Sequence, residues 1–195
     1  KCVNPLHGTV PANFATDEAD LVIAAGIRFD DRIAGNPSKF CEHAKIIHID
    51  IDPAEIDKNK KVDVPIVGDL KNVLAEINKE LEPKKHTEWT DKVKEWKNEY
   101  PLAHRNVGED KLLPQEVLKA VNDILDGDAI VVTDVGQHQM WAAQYLTFKN
   151  PDTIVTSGGA GTMGFGVPAA MGAQVGAKDK KVVLIVGDGG FQMTL

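Results

Sequence analysis

The stretch VVLIVGDGGFQMTL, residues 182–195, decides which fold class this chain belongs to. Its apolar run predicts a buried strand, and the Gly-Asp-Gly-Gly that follows predicts a tight turn into a helix. Glycines at this position let the backbone approach a ligand, and the first amides of the helix favour a phosphate. Asp188 adds a hard oxygen that suits Mg²⁺ bound to a diphosphate. The same sequence also fits an ordinary turn, so the rest of the chain has to decide between the two readings.

The segments before this stretch alternate between strand and helix patterns. DAIVVTDVG (128–136) and DTIVTSGG (152–159) predict strands, whereas QHQMWAAQYL (137–146) and GVPAAMGAQVGA (166–177) predict helices. Such alternation is typical of parallel sheets covered by helices. We therefore expect the strand at 182–186 to join a parallel sheet.

The first part of the chain repeats the same pattern. Strands are predicted at ADLVIAAG (19–26), AKIIHIDID (44–52) and VDVPIVGD (62–69). A helix capped by Asp69 follows, and its predicted apolar face consists of Leu70, Val73, Leu74 and Ile77.

Residues 82–113 are predicted to link the two parts. They contain a charged amphipathic helix that carries Trp89, Val93 and Trp96 and ends before Pro101. A further helix begins at Pro114, with Val117, Leu118, Val121 and Leu125 on its apolar face. We expect an α/β protein with two three-layer parallel-sheet domains, both incomplete, at 1–81 and 114–195, joined by the helical linker 82–113.

Composition excludes several classes of function. The formal net charge is −7, and no stripe of Lys or Arg is present, which argues against nucleic acid and anionic membrane surfaces as partners. The apolar runs are far shorter than a membrane span. Cys2 and Cys41 form no metal-binding pattern and are expected to be free thiols in a reducing, cytoplasmic environment; a disulfide between them is the alternative.

Polar residues cluster where the first three strands end. GIRFDDR (26–32) places Arg28 and Arg32 around acidic residues, so it fits either a phosphate site or a surface ion-pair cluster. Asp50 suits a ribose hydroxyl, whereas Asp52, which precedes a proline, suits a helix cap. Gly68 and Asp69 fit an ordinary helix start better than a ligand site.

The second half carries two more distinctive segments. TSGGAGTMGFG (156–166) is richer in glycine than a simple connection needs, and DVGQHQMWAAQ (134–144) places His138 at a helix start. A lone histidine is more often structural than catalytic. No spacing fits a Ser-His-Asp triad, and no GxGxxG follows the first strand, which disfavours a standard NAD dehydrogenase.

Together these motifs resemble the large catalytic subunit of the acetohydroxyacid synthase (acetolactate synthase) family of thiamine diphosphate enzymes. The matching segments are GIRFDDR, HIDIDPAEI, DVGQHQMWAAQ, TSGGAGTMGFGVPAA and GDGGFQMTL, in that order and across nearly the whole chain. The resemblance implies part of a middle FAD-binding domain followed by part of a thiamine diphosphate-binding domain. It also implies Mg²⁺, pyruvate and 2-ketobutyrate as substrates, a homodimer or homotetramer of catalytic subunits, and a possible small regulatory subunit.

The resemblance also implies roles for individual residues. In the FAD site it implies His7, Gly26, Arg28, Asp30, Arg32, Asp50, Ile51, Gly68 and Asp69, with Gln139, Met140, Gly158 and Gly159 approaching the flavin from the second domain. Near the thiamine diphosphate it implies Val135, Gly136, Gln137, His138, Gly187, Gly189 and Gly190. Gly161 would accept a hydrogen bond from the aminopyrimidine, Met163 would bend the cofactor, and Asp188 would bind Mg²⁺.

Two features depart from the family pattern. The family has Met-His-Gly where this chain has Leu6-His7-Gly8, and the preceding KCVNP is atypical. The family's second metal ligand, an Asn, and its activating glutamate match nothing here, so we expect a piece of a longer enzyme that is inactive alone. Alternatives are an inactive nucleotide-binding fragment, pyruvate oxidase or glyoxylate carboligase, and more remotely an NAD dehydrogenase.

Overall fold

A computed structural model describes residues 8–103, 108 and 111–194. These residues divide into two compact units, 1–102 and 103–195. Within them no helix combines the length and the apolar character needed to cross a membrane. Cys2 and His7 lie outside the described residues, so their predicted roles stay predictions.

The first unit contains a parallel sheet with strand order β1-β2-β3. Its elements in chain order are α1 (Val10–Asp17), β1 (Leu21–Ala25), α2 (Asp31–Ala34), β2 (Lys45–Asp50), a 3-10 turn (Pro53–Glu55), β3 (Val64–Val67), α3 (Leu70–Glu80) and α4 (Thr87–Glu99). Ile47 of β2 pairs with Ile23 on one side and Val64 on the other. All three predicted strands are confirmed, each with shorter bounds than the sequence indicated.

One hydrophobic cluster of this unit consists of the buried residues Ala24, Phe29, Cys41 and Ile46. Ile49, on the opposite face of β2 from Ile46, is also fully buried, so both faces of this strand are covered. The Cys41 thiol is free and buried, and burial raises its pKa. The prediction for α3 was only partly correct: Val73 and Ile77 are partly buried, whereas Leu70 and Leu74 are exposed because the helix contacts the sheet along a narrow stripe.

Helix α4 belongs to the first unit and packs on α1 through aromatic side chains. Trp96 is buried and meets Phe14 edge-on with ring centroids 5.8 Å apart. Lys92 lies over the Trp96 ring and forms an ion pair with Glu18, the residue that directly follows α1. These contacts tie part of the predicted linker to the first unit, and the domain boundaries 1–81, 82–113 and 114–195 stay predictions.

The second unit contains a parallel sheet with strand order β5-β4-β6. Its elements are α5 (Pro114–Leu125), β4 (Ile130–Thr133), α6 (Gln137–Tyr145), β5 (Ile154–Thr156), α7 (Gly166–Gly176), β6 (Val182–Ile185) and α8 (Asp188–Gln192). The core contains Leu118, Val131, Ala142 and Leu146. The expectation of a buried strand at 182–186 was wrong, because β6 is an edge strand of this sheet and its residues are only partly covered.

Substitutions on α5 test this packing. Leu118 is 4% exposed, so Leu118→Ala should lower the free energy of unfolding by about 2–5 kcal/mol through lost burial and the remaining cavity. Ile124 lies on the same helix and is 76% exposed, so Ile124→Ala should change that free energy by less than about 0.5 kcal/mol. Urea titrations followed by circular dichroism measure both, and equal losses would contradict the assigned face of α5.

Candidate functional site

The first cluster of candidate residues lies at the carboxyl edge of the first sheet. Parallel pairing brings the ends of β1, β2 and β3 together: the Gly26 amide donates to the Ile49 carbonyl and the Gly68 amide to the Asp50 carbonyl, both at 2.9 Å. Gly26 has φ +63°, a conformation that a side chain rarely adopts. The turns that carry the predicted FAD residues therefore adjoin one another.

Phe29 organises the turn after β1. It is 2% exposed, has φ +49°, and meets the His48 ring edge-on with centroids 5.1 Å apart. A left-handed conformation costs an aromatic residue about 1–3 kcal/mol, and burial of the ring holds it there. The neighbouring Arg28 is exposed as a result and pairs with Asp30 at 3.0 Å.

The three aspartates of this edge differ in how fully they are used. Asp30 accepts from the amides of Arg32 and Ile33 and caps α2, and Asp69 accepts from the Asn72 amide at 3.0 Å and caps α3. Asp50 uses one oxygen for the Asp52 amide at 2.9 Å. Its other oxygen lies 3.9 Å from Nε2 of His48, beyond hydrogen-bond distance. Asp50 thus keeps an acceptor oxygen for a ligand, which fits the predicted ribose contact.

Three further residues that were predicted for the FAD site also lie at this edge. Ile51 is exposed directly after β2, and the Arg32 side chain is exposed on α2. Gly68 lies where an added Cβ would meet Val73 at 3.0 Å, so its glycine serves the approach of α3 to the strand end. Asp52 caps the 3-10 turn through the Ala54 amide, as the sequence indicated.

The second cluster lies at the carboxyl edge of the second sheet and centres on His138. An added Cβ at Gly136 or Gly187 would come within 3.0 Å or 3.2 Å of its imidazole. His138 also lines an apolar cavity of about 410 Å³ together with Trp141 and Val186. Its Nε2 atom is buried and has no hydrogen-bond partner among the described residues.

The glycine-rich loop after β5 reaches the start of α8. An added Cβ at Gly189 would lie 3.7 Å from Cε of Met163, and one at Gly164 would lie 3.1 Å from Met193. Gly161 has φ +63° and nothing near its Cβ position, so it has open space around it. Helix α8 begins at Asp188, so Gly189 and Gly190, which the sequence predicted to form a tight turn before a helix, already lie within its first turn.

The remaining predicted residues lie around these two segments. Gln139 donates from Nε2 to the Thr156 hydroxyl at 2.8 Å, which ties α6 to the end of β5. Asp188 is exposed, and no cluster of three or more metal-binding side chains occurs among residues 8–103 and 111–194. Of the other predicted residues, Val135 lies in the turn after β4, Gln137 and Met140 lie on α6, and Gly158 and Gly159 follow β5.

The residues present fit a diphosphate with its metal ion. Gly136 and Gly187 allow the His138 ring to lie directly against the main chain, and its unpartnered Nε2 is an orphan polar atom that a ligand could satisfy. Exposed Asp188 offers the carboxylate that Mg²⁺ takes alongside phosphate oxygens. The first amides of α8 have no partner within the helix and are available to a phosphate oxygen.

Asp134 was not selected from the sequence, although it lies between the predicted residues. It is fully buried at the end of β4 and accepts from the amides of Gly164 and Gly166. Burial alone would raise its pKa, but the hydrogen bonds from Gly166, Val135 and Gly164 outweigh it and hold the pKa below the usual range. The sequence signal that could have identified Asp134 is an acidic residue that directly follows a buried strand and precedes glycines.

Comparison with known proteins agrees with the motifs. Residues 2–77 match the central domain of thiamine pyrophosphate enzymes, and residues 134–195 match their C-terminal TPP-binding domain. Acetolactate synthase large subunits are 47% identical in Lactococcus lactis and 50% identical in Corynebacterium glutamicum, each over 97% of this chain. Chloroplastic acetolactate synthase 1 of Nicotiana tabacum is 47% identical over the same share. The chain covers 33%, 31% and 29% of these relatives, respectively.

The pKa of His138 tests the position of its imidazole ring in the structure. Burial lowers its pKa, and the charge of Asp134 and a hydrogen bond to the Asp134 main chain offset only part of that effect. We expect its NMR titration midpoint below about 6.5, the ordinary value for histidine. The unfolded chain then binds the proton more tightly, so stability falls as pH drops through about 6.5.

The His138→Gln variant assigns the NMR signal and removes this part of the pH dependence. Urea unfolding at pH 7.5 and pH 5.5 should therefore differ less in the variant than in the unmodified chain. A midpoint at or above 6.5 would contradict the buried position of the ring.

Proposed function

Because the chain belongs to the acetolactate synthase group of the thiamine pyrophosphate enzymes, we propose that it supplies part of the cofactor sites of an acetolactate synthase large subunit. The single observation that carries this proposal is the convergence of Gly136, His138, Gly187 and Asp188 at one sheet edge, with Met163 beside it. Thiamine pyrophosphate and thiamine diphosphate are the same compound.

Each residue of this edge has a distinct task in the proposed site. Asp188 would hold Mg²⁺, while Gly187, Gly189 and Gly190 would keep side chains away from the diphosphate. His138 and its neighbours Val135, Gly136 and Gln137 would hold the diphosphate. Met163 would give the cofactor an apolar surface, and the Gly161 carbonyl would accept a hydrogen bond from the aminopyrimidine.

Bound thiamine pyrophosphate supplies the electron sink that decarboxylation of a 2-keto acid requires. We propose pyruvate as the donor of a two-carbon unit and pyruvate or 2-ketobutyrate as its acceptor. The products are then 2-acetolactate and 2-aceto-2-hydroxybutyrate, which lead to valine, leucine and isoleucine.

The first sheet edge supports FAD binding. Arg28, exposed and paired with Asp30, can reach a phosphate, and Asp50 keeps a free acceptor oxygen for a ribose hydroxyl. Gly26, Arg32, Ile51, Gly68 and Asp69 complete this part of the proposed site. The flavin has a structural role in this proposal and is not reduced during turnover.

The proposal also covers how the subunits assemble. Two of the relatives are named large subunits, which is consistent with a smaller partner subunit in those proteins. We propose a homodimer or homotetramer of catalytic subunits, with a small regulatory subunit as a further component.

Product formation is the first test. The complete enzyme that contains this chain should form acetolactate from pyruvate only when thiamine pyrophosphate and Mg²⁺ are added, and the 195-residue chain alone should form none. Pyruvate-dependent reduction of the flavin would favour pyruvate oxidase instead. Absence of product from the complete enzyme would overturn the proposal.

Asp188→Asn tests the metal site. Loss of one ionic ligand should raise the Mg²⁺ concentration needed for half-maximal activity at least about tenfold, equivalent to about 1.4 kcal/mol. Asp179 is an exposed acid in the turn after α7, and Asp179→Asn should leave that concentration unchanged. An unchanged requirement in Asp188→Asn would remove this residue from the site.

Asp50→Asn tests the flavin site. The variant keeps one acceptor oxygen for the Asp52 amide and removes the free one, so FAD affinity should fall about 10- to 100-fold. Quenching of flavin fluorescence measures that affinity, and Asp17→Asn on α1 is the matched control. Equal affinities would contradict the ribose contact.

A further inference from the structure

The buried carboxylate of Asp134 connects two separate segments of the second unit. Oδ2 accepts from the Gly166 amide at 2.7 Å and from the Gly164 amide at 3.0 Å, and Oδ1 accepts from the Val135 amide at 2.8 Å. No ion pair to a lysine or arginine is formed by Asp134 within the described chain. Main-chain amides therefore stabilise the negative charge of this carboxylate.

Two glycines allow the close approach that these bonds require. An added Cβ at Gly166 would lie 2.9 Å from Cβ of Asp134, and one at Gly190 would lie 2.5 Å from Oδ1. Both distances are shorter than real Cβ contacts, so neither position can carry a side chain without displacing the carboxylate. One carboxylate thus binds the end of the glycine-rich loop through hydrogen bonds and packs directly against the first turn of α8 at Gly190.

The two segments fixed in this way carry residues of the proposed site. Gly164 directly follows Met163, and Gly190 lies two residues after Asp188. The Met163 side chain also reaches the Gly189 position of α8, as its distance of 3.7 Å from an added Cβ shows. A shift of the carboxylate would therefore move Met163 and Asp188 relative to each other.

We propose that Asp134 is a positioning residue that sets the spacing between Met163 and Asp188, and so prepares the second unit for Mg²⁺ and thiamine pyrophosphate. This inference rests on the proposed function. A carboxylate suits the task because both of its oxygens accept, and the loop supplies only donors. An asparagine at this position would turn an amide donor toward main-chain donors and would weaken the hold on the loop that carries Gly164 and Gly166.

The test uses the complete enzyme that contains this chain and the variant Asp134→Asn, with Asp123→Asn as control. Asp123 is an exposed acid on α5 in the same unit. Quenching of tryptophan fluorescence, including that of Trp141 on α6, measures the affinity for thiamine pyrophosphate at fixed Mg²⁺. Thermal melting without cofactor measures the purely structural effect, and the KM for pyruvate is determined alongside.

We expect Asp134→Asn to weaken cofactor binding about 10- to 100-fold, the usual cost of losing an outer-shell partner, with little change in the KM for pyruvate. Asp123→Asn should bind as the unmodified enzyme does. A lower melting temperature with unchanged cofactor affinity would mean that Asp134 is only structural and would overturn the inference.

A second pair of variants decides the matter if Asp134→Asn does not fold. Gly166→Ala pushes a methyl group against the carboxylate, whereas Gly172→Ala lies on the same helix with nothing within 4 Å of its Cβ position. We expect weaker thiamine pyrophosphate binding in Gly166→Ala and unchanged binding in Gly172→Ala. Equal affinities in the two variants would overturn the inference.

The unmodified enzyme separates this inference from the proposed function. If it neither binds thiamine pyrophosphate nor forms acetolactate, both fail. If it does both and Asp134→Asn binds the cofactor equally well, only the role of Asp134 fails.

Discussion

Parallel strand pairing is the constraint on which the candidate sites depend. Each sheet has three strands running in one direction, so the turns that follow them lie at a single edge. The hydrogen bonds from Gly26 to Ile49 and from Gly68 to Asp50 extend that pairing into the turns themselves. Strand pairing alone therefore brings residues that are far apart in the chain together at these edges.

The two edges treat their acidic residues differently. In the first unit, Asp30 and Asp69 cap helices, and Asp50 accepts from the Asp52 amide through one oxygen. In the second unit, Asp134 is buried and held by amides from another segment, while Asp188 is exposed. Capping aspartates stabilise local structure, whereas the carboxylate of Asp134 accepts from two amides of one loop, 30 and 32 residues away in the chain.

Much of the fold could be predicted because the signals are local. Strand patterns, the Asp69 and Asp52 caps and the helix start at Pro114 depend on neighbouring residues, and the structure contains them all. The burial of β6 was predicted wrongly, because its apolar run is the same in an edge strand and a central one. Phe29 lies within a motif that was interpreted from the sequence as polar. In the structure its ring is buried in the core, and the neighbouring Arg28 is exposed.

The sequence by itself determined the α/β class, the order of the elements and the motifs that mark both candidate sites, since each is written in short stretches of residue type and spacing. Only the tertiary structure decided that His138 lies against Gly136 and Gly187, and that Asp134 bonds the loop before α7. Those contacts depend on which strands are neighbours: β4 lies between β5 and β6, although β5 follows it in the chain and β6 comes last. Strand order is a property of the packed sheet, and no single segment of the chain contains it.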